Sequence, residues 1–176
     1  MRRVLDGLYA VSGVLAALCL VAILTLVGVQ IVARCLDTVL RAAGGQATGF
    51  LVPSLAEICG FLLAAASFLA LADTLARGVH IRVLLLVEHV PDTVRRVLEA
   101  ATGLAAVGLA LFAAWSMGRL TLKSLEFGDV SYGMVAVPLA LPQAVVTLGL
   151  LVFAVALADQ AAAAIRGRPV AAASGE

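Results

Sequence analysis

The sequence predicts an all-α fold: a polytopic membrane protein with four transmembrane helices in one integral domain and an interfacial element between helices two and three. Three observations predict it. The chain is 63% hydrophobic and 13% charged, about half the charge of an ordinary soluble domain, so there is too little polar surface to cover a soluble core. Its charges are also segregated. Gly7–Ala33 runs 27 residues without one and Val130–Ala158 runs 29, against the roughly 20 helical residues that cross a bilayer. Finally, two shorter apolar stretches between these carry their own start signals.

The first span is placed at 8–33. Met1-Arg2-Arg3 before an apolar run resembles a secretion signal, but the run far exceeds a signal's apolar core of about 7–15 residues, so it reads as a retained span. Leu18 before Cys19 excludes a lipoprotein-type cysteine. Tyr9 lies near its start, where an interfacial aromatic is favourable.

The second span is placed at 54–77. Its charge-free core, Ile58–Ala72, is only 15 residues. Ser54 and Glu57, however, form the S-x-x-E pattern of a capping box, which extends the helix backwards. Asp73 and Arg77 stand four apart, acid before base, at its far end. The third span, 94–118, is launched by Pro91-Asp92 and carries Trp115 near its exit. The fourth, 134–162, is interrupted early by Pro138 and Pro142. Proline removes a helical N–H and clashes with the preceding turn, so a kink or a broken first segment is expected, with regular helix from about Pro142.

The basic residues sort by side. Arg2, Arg3, Arg77, Arg82, Arg95, Arg96, Arg166 and Arg168 fall on one side of a four-span chain. Arg34, Arg41, Arg119 and Lys123 fall on the other. The positive-inside rule then places both termini in the cytoplasm. The run Gly78–Pro91 is too short to span and has charges at both ends, so it reads as an element lying at the cytoplasmic interface. The tail 167–176 is small and polar, and reads as disordered. A net charge of +1 argues against a nucleic-acid partner; the expected surroundings are membrane lipid.

Little in the chain suggests catalysis. There is no phosphate-binding glycine loop, nucleophile elbow or zinc-protease helix. His80 and His89 fall in the interfacial run and not within a span, where membrane haem ligands would sit. Cys19, Cys35 and Cys59 have no metal-ligand spacing. No catalytic, cofactor-binding or metal residue is assigned. Glu57 and Arg34 are the ionisable residues closest to membrane depth, and such residues are functional candidates by default. The competing readings are the capping box for Glu57, and for Arg34 snorkelling with Asp37 as partner. Gly13 with Ala17 and Gly60 with Ala64 would permit close helix contact.

From about Leu8 to Ala164 the chain resembles the small permease (DctQ-type) subunits of tripartite ATP-independent periplasmic (TRAP) transporters. The residues that carry the likeness are Gln30-Ile31-Val32-Ala33-Arg34 at the first span's end, Glu57 opening the second, and Gly78 leading into His80-Ile81-Arg82-Val83. Pro91 with Arg95, and Ser131, Gly133 and Pro138, extend it. Leu84 stands where the family often has an acid, the second span lacks a common tryptophan, and Ala42–Pro53 is unusually glycine-rich. The resemblance implies a scaffolding subunit in the bacterial inner membrane. It would bind a large permease subunit, which takes up an organic anion, often a carboxylate, delivered by a periplasmic solute-binding protein and driven by an ion gradient. With the chain ending at Glu176 it would be a separate subunit, with Arg34, Glu57, His80, Arg82 and Pro138 as candidate interface or structural residues. Two alternatives are a self-sufficient dimeric exporter, which would need an acid deep in a span, and a four-helix membrane enzyme or haem anchor, which would need ligands there.

Overall fold

A computed structural model describes residues 2–77 and 92–165. Four helices account for most of them: α1 (Arg2–Ala42), α2 (Leu55–Ala76), α3 (Asp92–Phe127) and α4 (Ala140–Ile165). Each contains a stretch long and apolar enough to cross a membrane. Among the described residues the only β feature is an isolated bridge between Val130 and Pro138. The interfacial run 78–91 and the tail 167–176, with His80 and Arg82, lie outside the described residues.

In space the helices are ordered α1, α2, α4, α3. Helix α2 packs on α1 and α4, and α4 packs on α3. Cross-contacts fix the directions. Ser12 Oγ donates to the Leu69 carbonyl at 2.5 Å while Gln30 reaches Val52, so α1 and α2 are antiparallel. Ser54 meets Val135 and Leu75 meets Gln160, so α2 and α4 run parallel. Gly103 faces Ala161 and Gly118 faces Thr147, so α3 and α4 are antiparallel. The end where α1 and α3 finish and α2 and α4 begin is called distal below; the end nearest the N-terminus is proximal.

The packing inverts that of a soluble protein. The buried positions are mostly alanine: Ala65, Ala66 and Ala72 on α2, Ala110 and Ala114 on α3, Ala154 and Ala156 on α4. The large apolar side chains, among them Leu24, Leu109, Phe112 and Trp115, point outward. Lipid tails are as apolar as leucine, so helices gain little by hiding leucine from lipid; small residues that let backbones approach are what draws them together. The closest approach of one helix backbone to another at a glycine is at Gly149, where a Cβ would lie 2.8 Å from the Phe68 carbonyl carbon. Gly13 is a second contact glycine, its absent Cβ lying 2.7 Å from Asp73 Oδ2, whereas Gly60 faces open space.

Local features refine the expected spans. Tyr9 faces the bundle interior: it is 4% exposed and packs on Ala72, Leu75 and Ala156. The small side chains Ala72 and Ala156 leave room for the ring, and Leu5, Val152, Phe153 and Leu157 close around the cluster. Helix α3 runs on past Trp115 to Phe127, so Arg119 and Lys123 fall in its last turns. Of the two outcomes expected at the prolines, a kink or a broken entry, the structure shows the broken entry, with regular helix from Ala140. Pro138 lies before it and Pro142 in its first turn, where the missing N–H would have had no helical partner anyway.

Candidate functional site

The described polar chemistry concentrates at the distal end, where three segments are tied together. Helix α1 begins the arrangement. Gln30 is buried, and its Oε1 accepts the Val52 N–H at 2.7 Å. Two turns further on, Asp37 accepts the Thr48 N–H at 2.7 Å, the Thr48 hydroxyl at 2.5 Å and the Gly49 N–H at 3.0 Å. These bonds fold segment 43–54 back along one flank of α1. Gly44 and Gly49 have positive φ, 78° and 65°, which glycine adopts without steric cost. The glycine-rich stretch is therefore a turn that returns the chain to α2.

The expected Arg34–Asp37 pair does not form. Asp37 already accepts three hydrogen bonds, and Arg34 is exposed. The single ion pair among the described residues is Arg77 with Asp73, Nε to Oδ2 at 2.8 Å, the acid-before-base pair anticipated at the proximal end of α2.

The expected capping box is absent too. Ser54 does hold the N-cap position of α2, but its backbone is left-handed (φ 54°, ψ 25°) and its side chain makes no cap bond. That conformation turns Oγ away from the N–H groups of the first turn. Oγ instead accepts the Val135 N–H at 2.9 Å, from the loop between α3 and α4. Glu57 does not reach back to Ser54. Its carboxylate sits beneath Gly133, where any Cβ would collide with Glu57 Oε2, and Oε2 is buried without a donor.

That loop, residues 128–139, is rigidly organised. Asp129 N–H bonds the Ser124 carbonyl, Ser131 N–H bonds the Val137 carbonyl, and Leu139 N–H bonds the Asp129 carbonyl, all within 3.0 Å. Ser131 Oγ accepts the Val137 N–H at 3.1 Å and donates to the Val135 carbonyl at 3.2 Å. Pro138 pairs across the loop with Val130 and precedes α4. The loop tip, Tyr132 and Met134, is fully exposed.

Of the five candidate residues, the structure thus brings Glu57 and Pro138 into one distal assembly, leaves Arg34 on the exposed side of α1, and does not describe His80 or Arg82. Sequence reasoning missed Gln30 as a clamp, Asp37 as the organiser of the turn, and Gly149 as the tightest crossing. Asp37 could have been suspected from the nearby Gly44, Gly45 and Gly49, since such a turn needs an acceptor for its free N–H groups.

Within the bundle, buried polar side chains bond neighbouring backbone. Thr121 Oγ1 donates to the Met117 carbonyl and Thr147 Oγ1 to that of Gln143. The two hydroxyls lie 3.3 Å apart, and Gln160 Nε2 donates to the Leu75 carbonyl at 2.9 Å. The threonine bonds lie within their own helices, and only the hydroxyl contact and the Gln160 bond link one helix to another.

A family described as the DctQ component of tripartite ATP-independent periplasmic transporters matches residues 23–167. No curated protein and no solved structure matches the chain.

Proposed function

The chain belongs to the DctQ family, the small membrane component of the tripartite ATP-independent periplasmic transporters, and from that premise we propose that it is a scaffold for the large permease subunit. In this reading it braces a permease that takes up an organic anion of the carboxylate class, delivered by a periplasmic solute-binding protein and driven by an ion gradient. Both termini lie in the cytoplasm and the distal end faces the periplasm, as the eight-to-four division of basic residues suggests. Arg34 faces the partner, Glu57 and Pro138 shape the distal end, and His80 and Arg82 contact the partner from the cytoplasmic side.

The observation that carries the reading is the family match over residues 23–167, which takes in α2, α3, α4 and about the C-terminal half of α1. The structure lends support through the use of its polar groups. The Gln160 amide bonds the Leu75 carbonyl of the adjacent helix, and the Thr121 and Thr147 hydroxyls meet across α3 and α4, the pattern of a brace.

The test is reconstitution. Purified alone into liposomes, the chain is expected to give no flux of organic anions above empty vesicles. With the large subunit and the solute-binding protein added, uptake is expected to appear. Robust flux from this chain alone would instead establish a self-sufficient exporter.

A further inference from the structure

Tyr9 packs on Ala72 and Ala156. Asp6, Asp73 and Asp159 each lie within one helical turn of one of these residues. The charges that close the apolar runs of α1, α2 and α4 at the proximal end therefore stand near one level. A hydrocarbon core of roughly 30 Å takes about 20 helical residues. Counted distally from those charges, it reaches Leu26 on α1, Pro53 on α2 and Leu139 before α4. Helix α2 begins at Leu55 and α4 at Ala140, so both give way to loop where the core ends. On α3, Arg119 and Lys123 sit inside this boundary, on stems that let the charge snorkel out towards it. The headgroup zone of the distal leaflet thus falls on 50–54 and 130–139. These segments are joined, because Ser54 Oγ accepts the Val135 N–H, and Gln30 of α1 holds the first of them at Val52.

Neither segment has the composition of a loop in water. The sequence carries no charge between Arg41 and Glu57, or between Asp129 and Asp159. Phe50 and Leu51 are 52% and 60% exposed, and Tyr132 and Met134 stand almost wholly free of the protein. Nor does the loop suit dry hydrocarbon. The N–H groups of Ser131, Val135 and Val137 are bonded, but among the described residues those of Tyr132, Gly133 and Met134 have no partner. Unpaired N–H groups are excluded from lipid tails; water and headgroup oxygens satisfy them. Apolar side chains on a wet backbone match the interfacial zone, where the amphipathic ring of tyrosine is enriched.

We propose that Phe50, Leu51, Tyr132 and Met134 form a rim that rests in the headgroup zone of the distal leaflet and binds this end of the bundle to the lipid surface. The apolar side chains bury against the upper acyl chains, while the free N–H groups and the Tyr132 hydroxyl meet phosphate and ester oxygens. The loop is already ordered by its own bonds and by Ser54, so little conformational freedom is lost on insertion. A seat for a soluble protein has to stand clear of the headgroups. The rim does not, because it lies at the level where α2 and α4 begin. The contact does not depend on a bound permease, so it goes beyond the subunit assignment and the chain alone tests it.

Trp115 is the one tryptophan, and Trp115→Phe gives a silent background. Tyr132→Trp, Met134→Trp and Phe50→Trp are then made singly, and each full chain is reconstituted in phosphatidylcholine vesicles. All three side chains are exposed, so the circular dichroism spectra should match that of the parent; should one variant misfold, the other two report on the same rim. Lipid brominated near the top of the acyl chain should quench the new tryptophan more than lipid brominated at the chain's tip. Iodide on both sides of the vesicle should quench it far less than it quenches free tryptophan. Full quenching by iodide with no effect of bromine would overturn the proposal, leaving the rim in water and open to a soluble partner. Strongest quenching from the chain tip would overturn it too, as would a tryptophan that neither quencher reaches, which would mean that a second copy covers the rim.

Discussion

Ser54 shows how one side chain can be diverted from the role its neighbours suggest. The pattern with Glu57 fits a capping box, yet Ser54 is left-handed and its hydroxyl serves Val135. Two opposing effects follow from one residue. Losing the Val135 bond should cost about 0.5–1.5 kcal/mol, whereas relieving a left-handed non-glycine backbone should return about 1–2 kcal/mol. Ser54→Ala removes the bond and keeps the strain, and Ser54→Gly removes both. Thermal unfolding in detergent should therefore rank alanine clearly below glycine, with glycine near wild type; equal losses would refute the left-handed geometry. Glu57→Gln makes the complementary test. It removes a charge whose Oε2 is buried beneath Gly133 without a donor, so it should cost less than about 0.5 kcal/mol. A cost matching that of Ser54→Ala would show that the carboxylate has a donor and refute its unpartnered burial beneath Gly133.

Among the helices, the crossing of α2 and α4 is the most demanding contact. Gly149 lets the α4 backbone lie against the Phe68 carbonyl, and a backbone neighbour cannot rotate away as a side chain can. Gly149→Ala should cost about 1–3 kcal/mol, the usual range for overpacking a tight interior. Gly60→Ala is the control. It faces open space on α2, and alanine in a helix is favoured over glycine by roughly 0.5–1 kcal/mol. Melting temperatures should move in opposite directions. If Gly149→Ala is silent, the helices do not approach as described. Gly13 is an intermediate case, since the neighbour it would strike is the Asp73 carboxylate, which is held by Arg77 but can still give.

For the molecule as a whole the decisive quantity is orientation. Gln46 lies in the turn after α1 and Glu126 at the end of α3, both exposed at the distal end. With Cys19, Cys35 and Cys59 replaced, cysteines at Gln46 and Glu126 should react with an impermeant thiol reagent in intact cells. Cysteines at Glu88 and Ser174 should react only after permeabilisation. External labelling at Ser174 would refute cytoplasmic termini and reverse which end of the bundle faces the binding protein. It would leave the four-helix arrangement itself untouched.

The membrane class and the four helices were legible in the residues alone, because they depend on sums over long windows. A charge-free run of 27 residues admits few structures in which its backbone groups are satisfied, and a spanning helix is the simplest. Pro138 and Pro142 likewise had to fall before or in the first turn of a helix or else break it. The Asp73–Arg77 pair was legible because both residues lie on one helix, four apart. Contacts between segments distant in the chain were not legible. Ser54 was claimed by Val135, Asp37 by Thr48, and Tyr9 by an apolar cluster with Ala72, Leu75 and Ala156. Each of these groups had an acceptable local partner or location in the sequence, and a difference of about 1 kcal/mol between alternatives is settled by which donor or cavity the packed helices bring near. The spatial order α1, α2, α4, α3 belongs to the same class: it turns on single glycines such as Gly149, and glycine carries no side chain from which its neighbour could be read.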